Sequence, residues 1–247
     1  MSRLSIVTGA AGDLGGAVVR RLAAQGDRVV LVDLDATALD ATLATLPGEG
    51  HRAVTLDVSD EAAVAALADD VRARSGRVDA VFNNAGINGG SFPIAEHPLD
   101  DFRRIFEVNV QGVFLVMKHF LPLAAASDDA WFLNTSSEAG LKANERRGAY
   151  AATKAAIIQL TRAAALEYGR EGVRTNVLCP GPIEGALMRR SENSLPDPAA
   201  ARATIAANCS LGRYAEADEI AIHACYLLTG APPYVNGAVH LADGARR

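Results

Sequence analysis

Residues 4–22, LSIVTGAAGDLGGAVVRRL, contain the pattern that decides the fold. The stretch begins with a short apolar run typical of a buried strand, passes through a glycine-rich turn and continues with helical periodicity. Glycines at such a turn let the backbone approach a phosphate group, and the N-terminus of the next helix offers unpaired N–H groups. The stretch therefore predicts a strand–turn–helix unit that binds a dinucleotide.

Short apolar runs and longer alanine-rich segments alternate along the rest of the chain. The predicted strands are 4–8, 28–33, 52–57, 78–83, 130–136, 173–179 and 235–241. The predicted helices are 14–25, 36–45, 60–75, 100–121, 149–170 and 216–229. Continuously apolar strands are buried on both faces, and strand–helix–strand connections require parallel pairing. The pattern predicts an α/β doubly wound Rossmann fold, with a seven-stranded parallel sheet and helices on both faces.

No linker or charge block divides the 247 residues, so we expect 1–247 to form a single domain. The stretch 181–212 has no clear period. Long segments without regular structure are usually functional or mobile, which makes a substrate lid near 184–212 one interpretation. Two short surface helices are the other, and the sequence favours neither.

The composition argues against several classes of function. A formal net charge of -5 provides no basic surface for binding nucleic acid. The three cysteines are widely spaced, as is typical of reduced thiols in a cytosolic protein, and the histidines lack metal-ligand spacing. No apolar run approaches the ~18 residues of a membrane span, and the N-terminus has no signal-peptide pattern. We therefore expect a cytoplasmic protein without a metal, membrane or nucleic-acid partner.

An acidic residue ends the second predicted strand. A carboxylate at the position of Asp33 accepts hydrogen bonds from the adenosine ribose and repels the 2′-phosphate of NADP. Leu34 follows, and no arginine or lysine stands in this turn to neutralise a further phosphate. The pattern favours NAD as the cofactor.

Tyr150 and Lys154 lie four residues apart in the segment YAATK, within a predicted helix. Residues at i and i+4 share one face of a helix. A free tyrosine has a pKa near 10, and a neighbouring ammonium favours the phenolate, so we expect Lys154 to lower that pKa toward neutrality. Chance also produces this pair in long helices, so the surrounding motifs must decide its meaning.

Motifs along nearly the whole chain resemble those of the classical short-chain dehydrogenases/reductases. They are TGAAGDLG (8–15), NNAG (83–86), VNVQGVF (108–114), NTSS (134–137), YAATK (150–154), CPGPI (179–183) and VNGAVHLADG (235–244). The resemblance implies hydride transfer between NAD and a small-molecule secondary alcohol or ketone. It leaves 3-oxoacyl, hydroxy acid and polyol substrates open. It also implies a homotetramer formed through the 149–170 helix, the preceding long helix and the C-terminal strand.

The resemblance also implies the roles of individual residues. The catalytic residues would be Asn109, Ser137, Tyr150 and Lys154. The residues that bind or flank the cofactor would be Gly9, Gly12, Asp13, Leu14, Gly15, Asp33, Leu34, Asp57, Val58, Asn83, Ala85, Gly86, Tyr150, Lys154, Pro180, Gly181 and Ile183. Ser137 is preferred over Ser136 because of its spacing from the tyrosine.

Three positions depart from the family pattern. Asp13 replaces a glycine of the turn, and we expect its side chain to cap the following helix and point away from the phosphates. Gly185 stands where the family often has a threonine that contacts the cofactor, and the usual terminal DGG reads Asp243-Gly244-Ala245. We expect these changes to affect cofactor affinity rather than the type of reaction.

The segment between Ser137 and Tyr150 and the lid segment are rich in basic residues. They are Lys142, Arg146, Arg147, Arg189 and Arg190. Arginine forks bind carboxylate or phosphate groups, so an acidic substrate is one hypothesis, and solvated surface charges are the alternative. Glu138 would oppose an anion if it faced the pocket.

Two other functions remain open at this level. A dinucleotide-binding regulator would keep the fold without catalysis. An epimerase or dehydratase of the same family would hold its cofactor tightly and show no net NADH production.

Overall fold

The computed structural model describes residues 2–246, in which seven strands form one sheet. They are β1 (Leu4–Thr8), β2 (Arg28–Asp33), β3 (Arg52–Thr55), β4 (Ala80–Asn83), β5 (Ala130–Thr135), β6 (Val173–Pro180) and β7 (Val239–Ala242). The strand order is β3-β2-β1-β4-β5-β6-β7, and every neighbouring pair is parallel. The predicted fold class is confirmed.

Helices cover both faces of the sheet. They are α1 (Asp13–Ala24), α2 (Ala36–Leu43), α3 (Glu61–Ser75), α4 (Leu99–Phe106), α5 (Val113–Ala124), α6 (Gly148–Tyr168), α7 (Ala186–Asn193), α8 (Pro198–Ala207) and α9 (Ala217–Thr229). Helices α1, α2 and α9 share a core with one face, and α3, α5 and α6 share a core with the other. Within the described residues, none of these helices is both long and apolar enough to cross a membrane.

The burial of strand β1 shows how the apolar runs of the sequence form the sheet. All of β1 is buried; Ile6 belongs to the core under α3, α5 and α6, and Val7 belongs to the core under α1, α2 and α9. Apolar side chains on both faces anchor the inner strands between two helical layers, whereas the edge strands β3 and β7 are only partly buried. Because all seven strands are parallel, their carboxyl ends lie along one edge of the sheet, where the connecting loops form a cleft.

The predicted helix 100–121 is divided in the structure. A π-helical turn, Glu107–Gly112, separates α4 from α5 and carries Asn109. Such turns widen a helix locally and are frequent at functional sites.

The last strand begins at Val239 instead of the predicted 235. The side chain of Asn236 accepts a hydrogen bond from the Thr175 N–H at 2.8 Å and so replaces the backbone pairing there.

The stretch 181–212 contains two short helices, α7 and α8, which agrees with the second of the two interpretations of this segment. Glu192 anchors α7, because its carboxylate is buried and accepts a hydrogen bond from the Tyr214 hydroxyl at 2.6 Å. Helix α8 has no buried residue. The segment is thus held to the body of the protein mainly through α7.

Candidate active site

A cavity of about 870 Å³ lies at the carboxyl ends of the strands. The strand order reverses between β1 and β4, and ligands of doubly wound sheets bind at such a point. We call the part around Gly9, Asp13 and Asp33 the glycine end and the part around Ser137, Arg147 and Tyr150 the tyrosine end. The sequence-predicted residues that line the cavity are Gly9, Gly12, Asp13, Leu14, Gly15, Asp33, Leu34, Asp57, Val58, Ala85, Gly86, Ser137, Tyr150, Lys154, Pro180, Gly181 and Ile183.

The turn after β1 depends on two glycines. Gly9 has a φ of 67°, and a Cβ there would lie 2.9 Å from Asn84 Nδ2. A Cβ on Gly15 would overlap the carbonyl oxygen of Gly9. Gly12, the N-cap of α1, has no side chain to cover the helix N-terminus. The backbone N–H groups of α1 are therefore accessible from the cavity, a geometry that fits a pyrophosphate.

Asp33 stands beside this turn at the end of β2. Its Oδ2 accepts a hydrogen bond from Ala11 N at 3.0 Å, and its Oδ1 accepts one from Leu34 N at 2.7 Å. The backbone thus fixes a carboxylate on the cavity wall next to the phosphate turn. Leu34 is 60% exposed and lines the same wall, without a positive charge for a 2′-phosphate.

Asp13 differs from the prediction that it caps α1. Its Oδ2 accepts a hydrogen bond from Ala186 N at 2.7 Å, so it caps the first turn of α7 instead. A Cβ on Gly185 would overlap the Asp13 carboxylate. The two departures from the family pattern are therefore one feature: the carboxylate occupies the space beside Gly185 and links the phosphate turn to the 184–212 segment.

Asp57 and Val58 form the far wall of the glycine end. Burial would raise the pKa of Asp57, but hydrogen bonds from Ser59 and Arg104 outweigh it and hold that pKa below its ordinary value. Arg104 Nη2 lies 3.3 Å from Asp57 Oδ2 and lines the cavity. The sequence did not indicate Arg104, because it belongs to α4, far from any recognised motif.

Two of the predicted residues do not line the cavity. Asn83 is buried, and its Nδ2 donates a hydrogen bond to the Val113 carbonyl at 3.1 Å; the next residue, Asn84, faces the cavity instead. Asn109 is buried in the π-helical turn. Its side chain accepts a hydrogen bond from Ile87 N at 2.8 Å and donates one to Ile87 O at 2.9 Å. Asn109 therefore holds the loop after β4 at Ile87, whereas Asn83 joins the end of β4 to the start of α5.

Ser137, Tyr150 and Lys154 come together at the tyrosine end. Lys154 Nζ lies 5.6 Å from the centre of the Tyr150 ring and donates a hydrogen bond to the Thr135 carbonyl at 3.1 Å. The two neighbouring serines have different environments. Ser136 Oγ donates a hydrogen bond to the Lys154 carbonyl at 2.7 Å. Ser137 Oγ lies 3.5 Å from the Pro180 carbonyl, and its side chain faces Tyr150. Ser136 thus supports α6, and Ser137 is exposed to a ligand in the cavity.

Burial dominates the electrostatics of this pair. It raises the pKa of Tyr150, while a hydrogen bond from Ser137 and the positive charge of Arg147 oppose that rise. It also lowers the pKa of Lys154 to about 8. The sequence predicted that Lys154 lowers the pKa of Tyr150. In the structure the pKa of Tyr150 is raised instead, and the cation that opposes the rise is Arg147, whose guanidinium carbon lies 4.8 Å from the centre of the Tyr150 ring.

A buried ion cluster closes the tyrosine end. Glu138 is 4% exposed, and its carboxylate pairs with Lys142 and with Arg246 near the C-terminus. Burial lowers the pKa of Arg246. Glu138 and Arg246 both line the cavity. No sequence motif pointed to Arg246, because the contact depends on the C-terminal residues folding back over the loop after β5.

The sequence and the structure agree with those of known proteins. A family model described as enoyl-(acyl carrier protein) reductase matches residues 9–245. The chain belongs to the short-chain dehydrogenase/reductase family. This membership is consistent with the arrangement of Ser137, Tyr150 and Lys154. Within residues 2–246, no group of three or more His, Cys, Asp or Glu side chains is arranged to hold a metal ion.

Relatives of this short-chain dehydrogenase/reductase act on varied hydroxyl compounds. Levodione reductase of Leifsonia aquatica is 36% identical, with 99% of this chain and 94% of that protein covered. A crystal structure of a levodione reductase is 35% identical and gives a TM-score of 0.94, with 98% of this chain and 96% of that chain covered. Cis-4-hydroxycyclohexanecarboxylate dehydrogenase of Sinomonas cyclohexanicum is 37% identical, with 98% and 95% covered. The structure of NAD⁺-bound xylitol dehydrogenase is 31% identical, with a TM-score of 0.92 and 98% of each chain covered.

Proposed function

We propose that this protein is an NAD-dependent oxidoreductase that interconverts a secondary alcohol and a ketone. The observation that carries the proposal is the convergence of Ser137, Tyr150 and Lys154 on a cavity whose other end has a glycine turn and a fixed carboxylate. The NAD⁺-bound state of xylitol dehydrogenase supports NAD as the cofactor. When bound, NAD supplies the hydride acceptor or donor.

Tyr150 exchanges the proton of the substrate hydroxyl in this mechanism. A general acid–base group needs a pKa close to the working pH, and Tyr150 starts with a pKa raised by burial. Ser137 and Arg147 oppose that rise, so they favour the phenolate that accepts the proton. Ser137 also donates a hydrogen bond to the substrate oxygen and stabilises the charge that develops there.

Lys154 and Asn109 have supporting roles beside Tyr150. The Thr135 carbonyl holds the Lys154 ammonium at 3.1 Å, where it can bind ribose hydroxyls of the cofactor. Asn109 acts as a positioning residue, because it joins the loop at Ile87 to Thr153, the neighbour of Lys154 in α6, through a hydrogen bond of 3.2 Å to Thr153 Oγ1.

The cofactor contacts follow from the glycine end. The N–H groups at the start of α1 would hold the pyrophosphate, and Asp33 would accept hydrogen bonds from the adenosine ribose. Asp57 and Val58 would flank the adenine. Pro180, Gly181 and Ile183 would meet the nicotinamide, and the 184–212 segment would cover the substrate as a lid.

A spectrophotometric screen tests this proposal. Neutral secondary alcohols, polyols and hydroxy acids are incubated with NAD⁺ or NADP⁺, and reduced nicotinamide is followed by absorbance. We expect turnover with at least one substrate and a preference for NAD⁺. An absence of turnover across all classes would favour a dinucleotide-binding regulator or an epimerase or dehydratase without net redox change.

We also propose that the chain forms a single domain and assembles in the cytoplasm as a homotetramer, with a dimer as the alternative. Leu166 on α6 is 84% exposed and Phe114 on α5 is 46% exposed, which gives the two helices an apolar surface suited to an interface. The three cysteines are free, as expected for a reducing compartment. Light scattering should give four times the mass of the chain, and Leu166→Glu should lower it.

A further inference from the structure

Arg147 lies at the tyrosine end without an acidic partner. It is half-buried, and its guanidinium lies against the Tyr150 ring. Within residues 2–246, its side chain makes one hydrogen bond, from Nη1 to Ser191 Oγ at 3.3 Å, and it forms no ion pair. Burial accordingly lowers the pKa of Arg147. A desolvated cation of this kind is stabilised when an anion joins it.

Besides Tyr150, the acidic group that acts on Arg147 is Asp101, and its carboxylate is already occupied. Asp101 favours the charged guanidinium only through space. Its carboxylate accepts a hydrogen bond from Gly90 N at 3.1 Å and lies 2.8 Å from His97 Nε2. Asp101 is therefore held by its own neighbours, and the fork of Arg147 stays available to a ligand in the cavity.

The other charges of the tyrosine end do not oppose an anion. Glu138 is neutralised by Lys142 and Arg246, and Glu184 pairs with Arg202. Arg190 also lines the cavity and adds a positive charge at its exposed rim, where Glu145 contributes a solvated negative one. The half-buried charge of Arg147 is thus the one that a substrate would meet closest to Tyr150.

We propose that Arg147 binds a singly charged acidic group of the substrate, so that the enzyme acts on a hydroxy acid or the corresponding oxo acid. The inference rests on the proposed oxidoreductase function and names its substrate class. One guanidinium balances one negative charge, and its planar fork matches the two oxygens of a carboxylate. Because the fork lies beside the Tyr150 ring, the carboxylate would sit within a few bonds of the reacting carbon.

The structure also separates Arg147 from its neighbour Arg146. Arg146 is exposed, does not line the cavity and donates a hydrogen bond to the Ser91 carbonyl at 3.4 Å. Arg146→Gln therefore removes an equal charge from the same loop and is the matched control for Arg147→Gln. Although Arg147 is the N-cap of α6, its side chain makes no capping hydrogen bond, so its replacement should leave the helix intact.

The test compares acids with neutral analogues that have the same reacting carbon. Wild type, Arg147→Gln, Arg147→Lys and Arg146→Gln are assayed with 3-hydroxybutyrate, 4-hydroxypentanoate and their methyl esters. We expect wild type to prefer the acids. In Arg147→Gln the ratio of kcat/KM for acid over ester should fall by about 10- to 100-fold, mainly through KM. The ratio should fall less in Arg147→Lys, and Arg146→Gln should keep the wild-type ratio.

Inhibition gives a second readout that needs no turnover of an acid. Butyrate should compete with a neutral alcohol in wild type and lose this effect in Arg147→Gln. Equal losses for acid and ester would overturn the inference and indicate that Arg147 acts only through Tyr150, with a common shift of the pH profile. If the wild-type enzyme prefers the esters and is not inhibited by butyrate, the inference about Arg147 is also overturned, but the proposed oxidoreductase function stands. Absence of turnover with every alcohol would instead reject the proposed function itself.

Discussion

The glycine end and the tyrosine end of the cavity are built from different kinds of groups. The glycine end relies on backbone N–H groups and on two acids, Asp13 and Asp33, that are held by hydrogen bonds from the backbone. The tyrosine end relies on side chains, and its cations Arg147 and Lys154 have pKa values lowered by burial. Under the proposed function, this difference means that the glycine end receives a common cofactor and the tyrosine end discriminates among substrates.

The largest expected effect tests the assignment of chemistry to the tyrosine end. Tyr150→Phe removes the proton-exchanging hydroxyl and keeps the ring, so kcat should fall by roughly 10²- to 10⁴-fold. Binding of NAD⁺, measured by calorimetry, should stay within about threefold of wild type, a free-energy change below roughly 1 kcal/mol. Ser136→Ala is the comparison variant, because Ser136 supports α6 and does not donate to a ligand. Turnover of Tyr150→Phe close to that of wild type would assign the base elsewhere.

A second prediction concerns the free-energy cost of burying Lys154. Its pKa falls from 10.5 in the unfolded chain to about 8 in the folded protein, so the unfolded chain binds more protons between these values. The free energy of unfolding should therefore rise with pH in this window, by up to about 3 kcal/mol relative to Lys154→Met. Urea unfolding of both proteins from pH 7.5 to pH 10.5 measures the difference, and a difference that is flat with pH would show that the lysine is not desolvated.

The cofactor preference tests the glycine end. Asp33→Ser combined with Leu34→Arg replaces a repelling carboxylate with a cation that can pair with a 2′-phosphate, so the ratio of kcat/KM for NADP⁺ over NAD⁺ should rise on the order of 10²-fold. Asp40→Ser removes an exposed acid from the same region of the chain and should leave the ratio unchanged. An unaltered ratio in the double variant would remove Asp33 from cofactor recognition.

The smallest expected effect concerns the contact between the glycine end and the 184–212 segment. Gly185→Ala should destabilise the protein because the new methyl group overlaps the Asp13 carboxylate, and Asp13→Gly should relieve that overlap. A double-mutant cycle on the free energy of unfolding should give a coupling of about 1–2 kcal/mol. Simple additivity would show that the two positions are independent departures from the family pattern.

Most of the fold was predictable because its signals are local in the sequence. Each buried parallel strand is a short apolar run, and Gly9 and Gly15 mark the turn by residue type and spacing alone. The division of the predicted helix 100–121 was not predictable in the same way. Periodicity does not reveal the π-helical turn at Asn109, since the apolar pattern continues through it.

Long-range contacts explain the remaining differences in the site. Asp13 caps α7, a partner 173 positions away, and Arg246 reaches Glu138 only after the C-terminus folds back. The motif NNAG also could not show which asparagine faces the cavity, because successive residues at a strand end point in opposite directions. Arg147 had a usable signal, namely its position one helical turn before Tyr150.

Isotope transfer is the most direct test of hydride chemistry at this cavity. A secondary alcohol carrying deuterium on its carbinol carbon is incubated with the protein and NAD⁺, and the reduced cofactor is analysed by mass spectrometry. We predict deuterium in the nicotinamide of NADH, and transfer slowed by roughly 10²- to 10⁴-fold in Tyr150→Phe. Loss of the deuterium to solvent, or its return to the substrate without net NADH, would contradict a dehydrogenase and favour an epimerase or dehydratase.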